Sequence, residues 1–294
     1  MSLRTILVFV AIVVLACAGC GNGSRSSRLD VVAAESAYGD IARQLGGDRV
    51  HVTSILTDPN ADPHLFEPGL KNDLAVARSK VAIQNGLGYD AFMDKLEAAA
   101  PSGPSDELVV VADLLGVSGK DANPHLWYDV PRLPTLAAGI ERALAKTDPK
   151  GKKQYDAALA RFDRSLAPLL STVAAIRRAR AGTPIAYTEP VPGYLTDAAG
   201  LRNLAPSSFT RAIEDGTEPS AAAVAATTKL VRDRKVRVLL YNSQAVSPIT
   251  SRIREAAQAA GIPVVPVTET LPPGLTFQQW QTRQARALQA ALAR

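Results

Sequence analysis

The sequence predicts an α/β protein of two lobes, each a parallel-type sheet flanked by helices, joined by one long helix. Three observations point there. Short β-branched runs alternate with amphipathic helical segments from Asp30 onwards, the pattern of a parallel sheet covered by helices. In the middle, apolar residues recur at steps of three and four over some 30 residues with no strand-like interruption. After Gly182 the alternation resumes. At 294 residues, with 47% hydrophobic and 21% charged, the chain can bury two ordinary cores, and the mixed charge excludes wholesale disorder.

The chain begins with Arg4 and an apolar, small-residue stretch from Ile6 to Gly19. That stretch is shorter than the roughly 20 residues a membrane span needs, and it has the basic start and small-residue exit of a secretory signal. Residues 1–19 are therefore expected to be a leader and 20–29, rich in Gly and Ser, a tether. Ala18-Gly19-Cys20 resembles a bacterial lipobox, which makes Cys20 the expected lipid-bearing residue; Cys17, after Val14-Leu15-Ala16, is the alternative. Cys17-Ala18-Gly19-Cys20 also has redox-motif spacing, but it ends an apolar leader instead of opening a helix after a strand. With both cysteines so placed, the mature chain offers no thiolate ligand.

The first lobe is expected at 30–147. Val31-Val32, His51 to Ile55, Val81-Ala82-Ile83 and Leu108 to Val111 read as buried strands. Helical patterns lie at Tyr38–Leu45, Leu70–Ser79, Tyr89–Ala99 and Pro131–Thr147, the last with Leu136, Ile140 and Leu144 on one face. Asp148-Pro149 then opens a helix expected to run to 181, its stripe being Tyr155, Leu159, Phe162, Leu166, Leu170, Val173 and Ile176. Such a helix spans about 45 Å at 1.5 Å per residue, and Pro168 should kink it or break one hydrogen bond. In the second lobe, 182–294, Pro184–Tyr187, Val236–Tyr241 and Ile262–Val265 read as strands. Ser220–Val231, Ser247–Ala260 and Phe277–Ala293 read as helices.

Composition removes several functions. The net charge of +5 comes from scattered residues, and aromatics are 5%, so no nucleic-acid surface is expected. The densest basic run, Arg177-Arg178-Ala179-Arg180, reads as a solvated helix end. Two cysteines exclude a disulfide scaffold or four-thiolate zinc site. There is no H-E-x-x-H, P-loop or G-x-S-x-G, and Gly86-Leu87-Gly88 has Ala91 at the third position of a dinucleotide fingerprint, so it reads as a turn.

Three histidines remain. His51 lies inside a strand pattern and reads as structural. His64 stands in Asp58-Pro59-Asn60-Ala61-Asp62-Pro63-His64-Leu65-Phe66-Glu67-Pro68, and His125 in Asn123-Pro124-His125-Leu126-Trp127-Tyr128-Asp129. Two Pro-His loops at strand exits, where open α/β sheets place ligands, point to paired ligands.

These two segments, with Asn85-Gly86-Leu87-Gly88-Tyr89 and the Asp148-Pro149 helix start, match the first-lobe signature of a known family. Tyr187-Thr188-Glu189-Pro190, Glu218-Pro219-Ser220, Leu239-Leu240-Tyr241-Asn242-Ser243-Gln244 and Val267-Thr268-Glu269-Thr270 follow in its order. Over about residues 30–294 the chain resembles the zinc/manganese solute-binding lipoproteins of ABC importers. The resemblance implies His64, His125, Glu189 and Glu269 as metal ligands. Glu269 stands where Asp is commoner, so Asn242 or Glu218 are alternative contributors. The His-rich loop of dedicated zinc receptors is absent, since Tyr89 to Pro124 contains no histidine. Two neutral imidazoles and two carboxylates suit Mn²⁺ or Zn²⁺, with Fe²⁺ also compatible. The implied protein is a lipid-anchored, extracytoplasmic monomer serving an ABC permease and its ATPase. It is not an enzyme, because a closed four-ligand site leaves no activated water. A metal-dependent adhesin or sensor of the same fold, or an envelope metallohydrolase, are the alternatives.

Overall fold

The computed structural model describes residues 28–100 and 105–294. The expected leader and the expected lipid-bearing Cys20 lie outside the described residues. The first lobe runs β1 (Leu29–Glu35), α1 (Ser36–Gly46), β2 (Val50–Leu56), α2 (Leu70–Arg78), β3 (Val81–Gln84), α3 (Ala91–Ala99), β4 (Glu107–Val110), α4 (Val111–Leu115) and α5 (Leu133–Thr147). Its sheet has the order β2-β1-β3-β4, and every pair is parallel. The central strands are apolar on both faces, as Val31 to Ala34 and Val81 to Ile83 illustrate, because helices cover both sides.

Between the lobes lie α6 (Lys152–Ser165) and α7 (Ala167–Arg180), preceded by a 3₁₀ turn at Pro149–Gly151. The expected long helix is thus two consecutive helices separated by Leu166. Pro168 has no N–H to offer Arg164, so the ladder stops and restarts with Pro168 in the first turn of α7, where a missing donor costs least. The apolar stripe continues through the break: Tyr155, Phe162, Leu166, Val173 and Ile176 are all buried. Residues 177–180 are exposed at the end of α7, as a solvated helix terminus should be.

The second lobe runs β5 (Pro184–Tyr187), α8 (Gly193–Ala198), β6 (Arg202–Asn203), α9 (Ser207–Glu214), α10 (Ala221–Arg232), β7 (Leu239–Asn242), α11 (Pro248–Ala259), β8 (Val264–Val267) and α12 (Phe277–Ala293). Its order is β6-β5-β7-β8, again all parallel. Both sheets therefore place their second strand outside the first and their third inside it. The crevice at such a reversal, at the carboxyl ends of the strands, is where ligands bind. The strand pattern read at 236–241 begins three residues later, and α4, α8, β6 and α9 are too short to leave a periodic signal. His51 sits on β2 opposite Asp30 of β1, with Nδ1 3.0 Å from its carboxylate, an exposed cross-strand pair.

One continuous core links the lobes, taking in Val31 and Ile83, Phe162 and Ile176, and Ile185, Leu240 and Leu288. The connector is anchored at its start, where Arg49 Nε and Nη2 donate to Asp148 at 2.7 and 2.9 Å and Tyr155 donates to the same carboxylate at 2.7 Å. The last helix returns to the first lobe. Phe277 N–H donates to Asp40 at 2.8 Å, and the Gln44 and Gln278 amides exchange hydrogen bonds of 2.9 and 2.8 Å.

Phe277 is fully buried, with Phe162 at 6.4 Å and Trp280 at 6.1 Å between ring centroids. Phe277→Ala should lower unfolding stability by about 3–5 kcal/mol, measured by chemical denaturation, because it opens a cavity where connector and last helix meet.

Candidate metal centre

Four loops at strand exits converge on the crevice. His64 lies in a 3₁₀ turn at Pro63–Leu65 beyond β2, started by Asp62, whose carboxylate accepts the His64 N–H at 2.9 Å. The Gln244 amide reaches across from the other lobe to the Ala61 carbonyl at 2.9 Å. His125 is held by Asn123, whose Oδ1 accepts from its backbone N–H at 3.1 Å and lies 2.8 Å from ring Nδ1. The Asn123 amide donates in turn to the Pro190 carbonyl at 2.7 Å, which defines its orientation. With Nδ1–H committed to that oxygen, Nε2 faces the crevice.

Glu189 follows β5 and Glu269 follows β8. His64 Nε2 is 3.2 Å from Glu189 and 3.8 Å from Glu269, and His125 Nε2 is 3.1 Å from Glu269. Ligand atoms of His64, Glu189 and Glu269 all lie within 4.8 Å of one another, and His125 joins them through Glu269. The structure thus brings the four expected residues to one place. Three are buried outright, and His64 is the most accessible, with 18% of its side chain exposed.

The alternatives to Glu269 separate clearly. Glu218 is exposed to solvent. Asn242 lies at the centre but as a donor: its Nδ2 serves Glu269 at 2.7 Å and also Glu189, while its Oδ1 accepts the Gln244 N–H at 3.0 Å. Gln244 Oε1 accepts the N–H groups of Glu269 and Thr270 at 2.6 and 3.0 Å, which sets the direction of the Glu269 side chain.

Two functional neighbours escape sequence reasoning. Tyr89 donates to Glu269 at 2.7 Å and packs edge-on to His64 and His125 at 5.7 and 5.6 Å. It is carried by a turn in which Gly86, Leu87 and Gly88 all have positive φ, and at Gly86 a Cβ would meet Val110 at 2.8 Å. Asp90 holds that turn by accepting from Asn85 and Gly86 N–H at 2.5 and 2.9 Å. Glu214, the last residue of α9, lies 3.6 Å from His125 Nε2. No periodic or motif signal marks it; Glu214-Asp215-Gly216 reads as an ordinary helix end.

The electrostatics favour positive charge. Burial disfavours the His64 imidazolium, but the carboxylates of Glu189, Glu269 and Glu214 outweigh it and hold the ring at about 10. His125 is raised in the same way against its own burial. Burial pushes Glu269 up, yet hydrogen bonding and attraction from His125, then His64 and Tyr89, hold it below the ordinary carboxylate range. Glu189 is raised by burial and by Glu269. The carboxylates thus favour positive charge on the imidazoles, and the same field favours a divalent cation between them.

Residues 31–291 match the family model described as zinc-uptake complex component A, periplasmic. The chain is 28% identical over 177 residues to the manganese ABC transporter substrate-binding lipoprotein PsaA of Streptococcus pneumoniae, covering 55% of this chain and 56% of that one. It is 27% identical over 176 residues to the metal ABC transporter substrate-binding lipoprotein FimA of Streptococcus parasanguinis, with 55% and 56% covered. The chain spans about half the length of these curated relatives. Its fold is similar to that of the periplasmic zinc binding protein TroA from Treponema pallidum, with a TM-score of 0.75 at 19% identity over 91% of this chain and 100% of that one. These relatives are binding proteins and not enzymes. With the family model matched across both lobes, the chain belongs to the family of periplasmic substrate-binding proteins of zinc and manganese ABC transporters.

Proposed function

We propose that this chain captures a divalent transition metal outside the cytoplasm and presents it to the permease of an ABC importer driven by its ATPase. One observation carries this function: buried imidazoles and carboxylates from both lobes, His64, His125, Glu189 and Glu269, meet at a single point in the crevice. The metal is Mn²⁺ or Zn²⁺, with Fe²⁺ also accommodated. Two carboxylates move the preference towards harder ions, although intrinsic affinity rises from Mn²⁺ to Zn²⁺. Cys20 would bear the lipid that keeps the protein at the membrane, and the protein would act as a monomer.

Capture proceeds by exchange of protons for the ion. Asn123 keeps His125 Nε2 turned inward, and Asn242, Gln244 and Tyr89 hold the carboxylates in place. His64, the most exposed donor, is followed in the chain by Leu65, which is 79% exposed. Leu70 at the start of α2 is 73% exposed, and Val246, two residues beyond Gln244 in the second lobe, is 58% exposed. Exposed apolar residues on both lobes near the crevice favour docking of this face on a partner.

His64→Ala and His125→Ala should each weaken binding at least about 100-fold in equilibrium competition among Mn²⁺, Zn²⁺ and Fe²⁺, since even outer-sphere changes cost 10–100-fold. Unchanged affinity in both variants would refute a metal-binding role. Glu189→His should retain binding and shift preference towards Zn²⁺.

His64 keeps its proton below about pH 10, so across pH 6 to 8 the ion must expel it, and affinity rises with pH. Displacing one to two protons gives roughly 10- to 100-fold per pH unit. Titration calorimetry in buffers of different ionisation enthalpy counts the protons; a pH-independent affinity would contradict the exchange.

Leu65→Gln combined with Leu70→Gln should leave metal affinity within about threefold and reduce uptake of radiolabelled metal by cells bearing the cognate permease. Unaltered uptake would remove this surface from the docking face.

A further inference from the structure

Glu214 does not belong to the ligand set that the family resemblance implies, yet its position is hard to explain otherwise. Its Oε2 is fully buried and has no hydrogen-bond donor among the described residues. A buried carboxylate oxygen without a donor is costly unless a cation faces it. What faces it is His125 Nε2 at 3.6 Å, too far for a hydrogen bond. The same nitrogen is 3.1 Å from Glu269, so both carboxylates look onto the one ring atom that is free to bind an ion. Glu214 also acts electrostatically on His64 and Glu189, the donors on the other side of the crevice. It reaches the site from the wall of a cavity of about 310 Å³ lined in addition by Asn123, Tyr187, Pro190 and Thr210. Gln would fill the same space with a neutral group.

Resting on the metal-capture function above, we infer that Glu214 is a fifth donor to the bound ion, beside His64, His125, Glu189 and Glu269. It makes the site selective for oxygen-preferring ions of higher coordination number such as Mn²⁺. Three carboxylates and two imidazoles exceed the four-coordinate shell that Zn²⁺ usually adopts in closed sites. Adding an oxygen donor strengthens binding of the harder ion more than that of Zn²⁺, against the intrinsic order. The helix α9 delivers this donor, and its loss leaves the other four in place.

The test is Glu214→Gln in the full mature chain, titrated separately with Mn²⁺ and Zn²⁺ against a competing chelator. Mn²⁺ affinity should fall about tenfold or more and Zn²⁺ affinity by less than about threefold, as expected for removing one oxygen donor. Equal losses for both ions, or no loss for either, would overturn the inference. X-ray absorption of the wild-type protein and of Glu214→Gln, each loaded with Mn²⁺, counts the neighbours directly. Four nitrogen and oxygen neighbours in the wild type overturn the fifth donor. Five or more in the wild type with one fewer in Glu214→Gln support it, since a bidentate Glu189 or Glu269 alone would leave the count unchanged. A wild-type protein that binds neither ion would instead defeat the metal-capture function, so the two failures are distinguishable.

Discussion

Five ionisable side chains, His64, His125, Glu189, Glu214 and Glu269, share a space from which water is largely withdrawn. Burying three carboxylates together is possible only if positive charge lies among them, because the desolvation of each anion is not repaid by its anionic neighbours. The facing carboxylates hold both imidazoles above their ordinary range, so positive charge is favoured among them. The rest of the crevice serves this arrangement. Asn242 places one amide between Glu189 and Glu269, Tyr89 gives Glu269 a further donor, and Gln244 grips the backbone of the loop that carries it.

The same groups tie the lobes to each other. Asn123 reaches Pro190, Tyr194 returns to the Asn123 carbonyl at 2.8 Å, Gln244 reaches Ala61, and Tyr128 donates to the Thr268 carbonyl at 2.7 Å. Opening the crevice would break these bonds together with the contacts of His64 with Glu189 and of His125 with Glu269, so the lobe contacts and the cluster stand or fall together. The two-part connector and the return of α12 to α1 limit how far such a separation can go. They share a continuous apolar core with both sheets, and an interior packed to that density does not deform gradually.

The repeated strand order explains why the donors come from loops so far apart in sequence. In the first sheet His64 follows edge strand β2 and His125 lies beyond β4 and α4, while in the second Glu189 follows β5 and Glu269 follows edge strand β8. The donors thus leave strands that are neither adjacent in their sheets nor close in the chain. Two such sheets facing each other turn four unremarkable strand exits into one enclosed site.

Periodicity and turn chemistry made the architecture legible: strands buried on both faces read as apolar runs, and Pro-His loops marked His64 and His125 because prolines hold a strand exit in one shape. Glu189 and Glu269 were legible through resemblance alone, since an isolated glutamate beside a strand carries no local signal. The connector's stripe was readable, but its division at Leu166 depended on how the chain restarts around Pro168. The amino-acid sequence by itself determined the α/β class, the inward stripe of the connector and two histidines poised at strand ends, because all three arise from spacing within a few turns of chain. Only the tertiary structure decided that Tyr89 and Glu214 stand at the same point, and that Asn242 is a donor between carboxylates. Those roles depend on distances between residues tens to hundreds of positions apart, which packing of the two lobes sets and local sequence cannot encode.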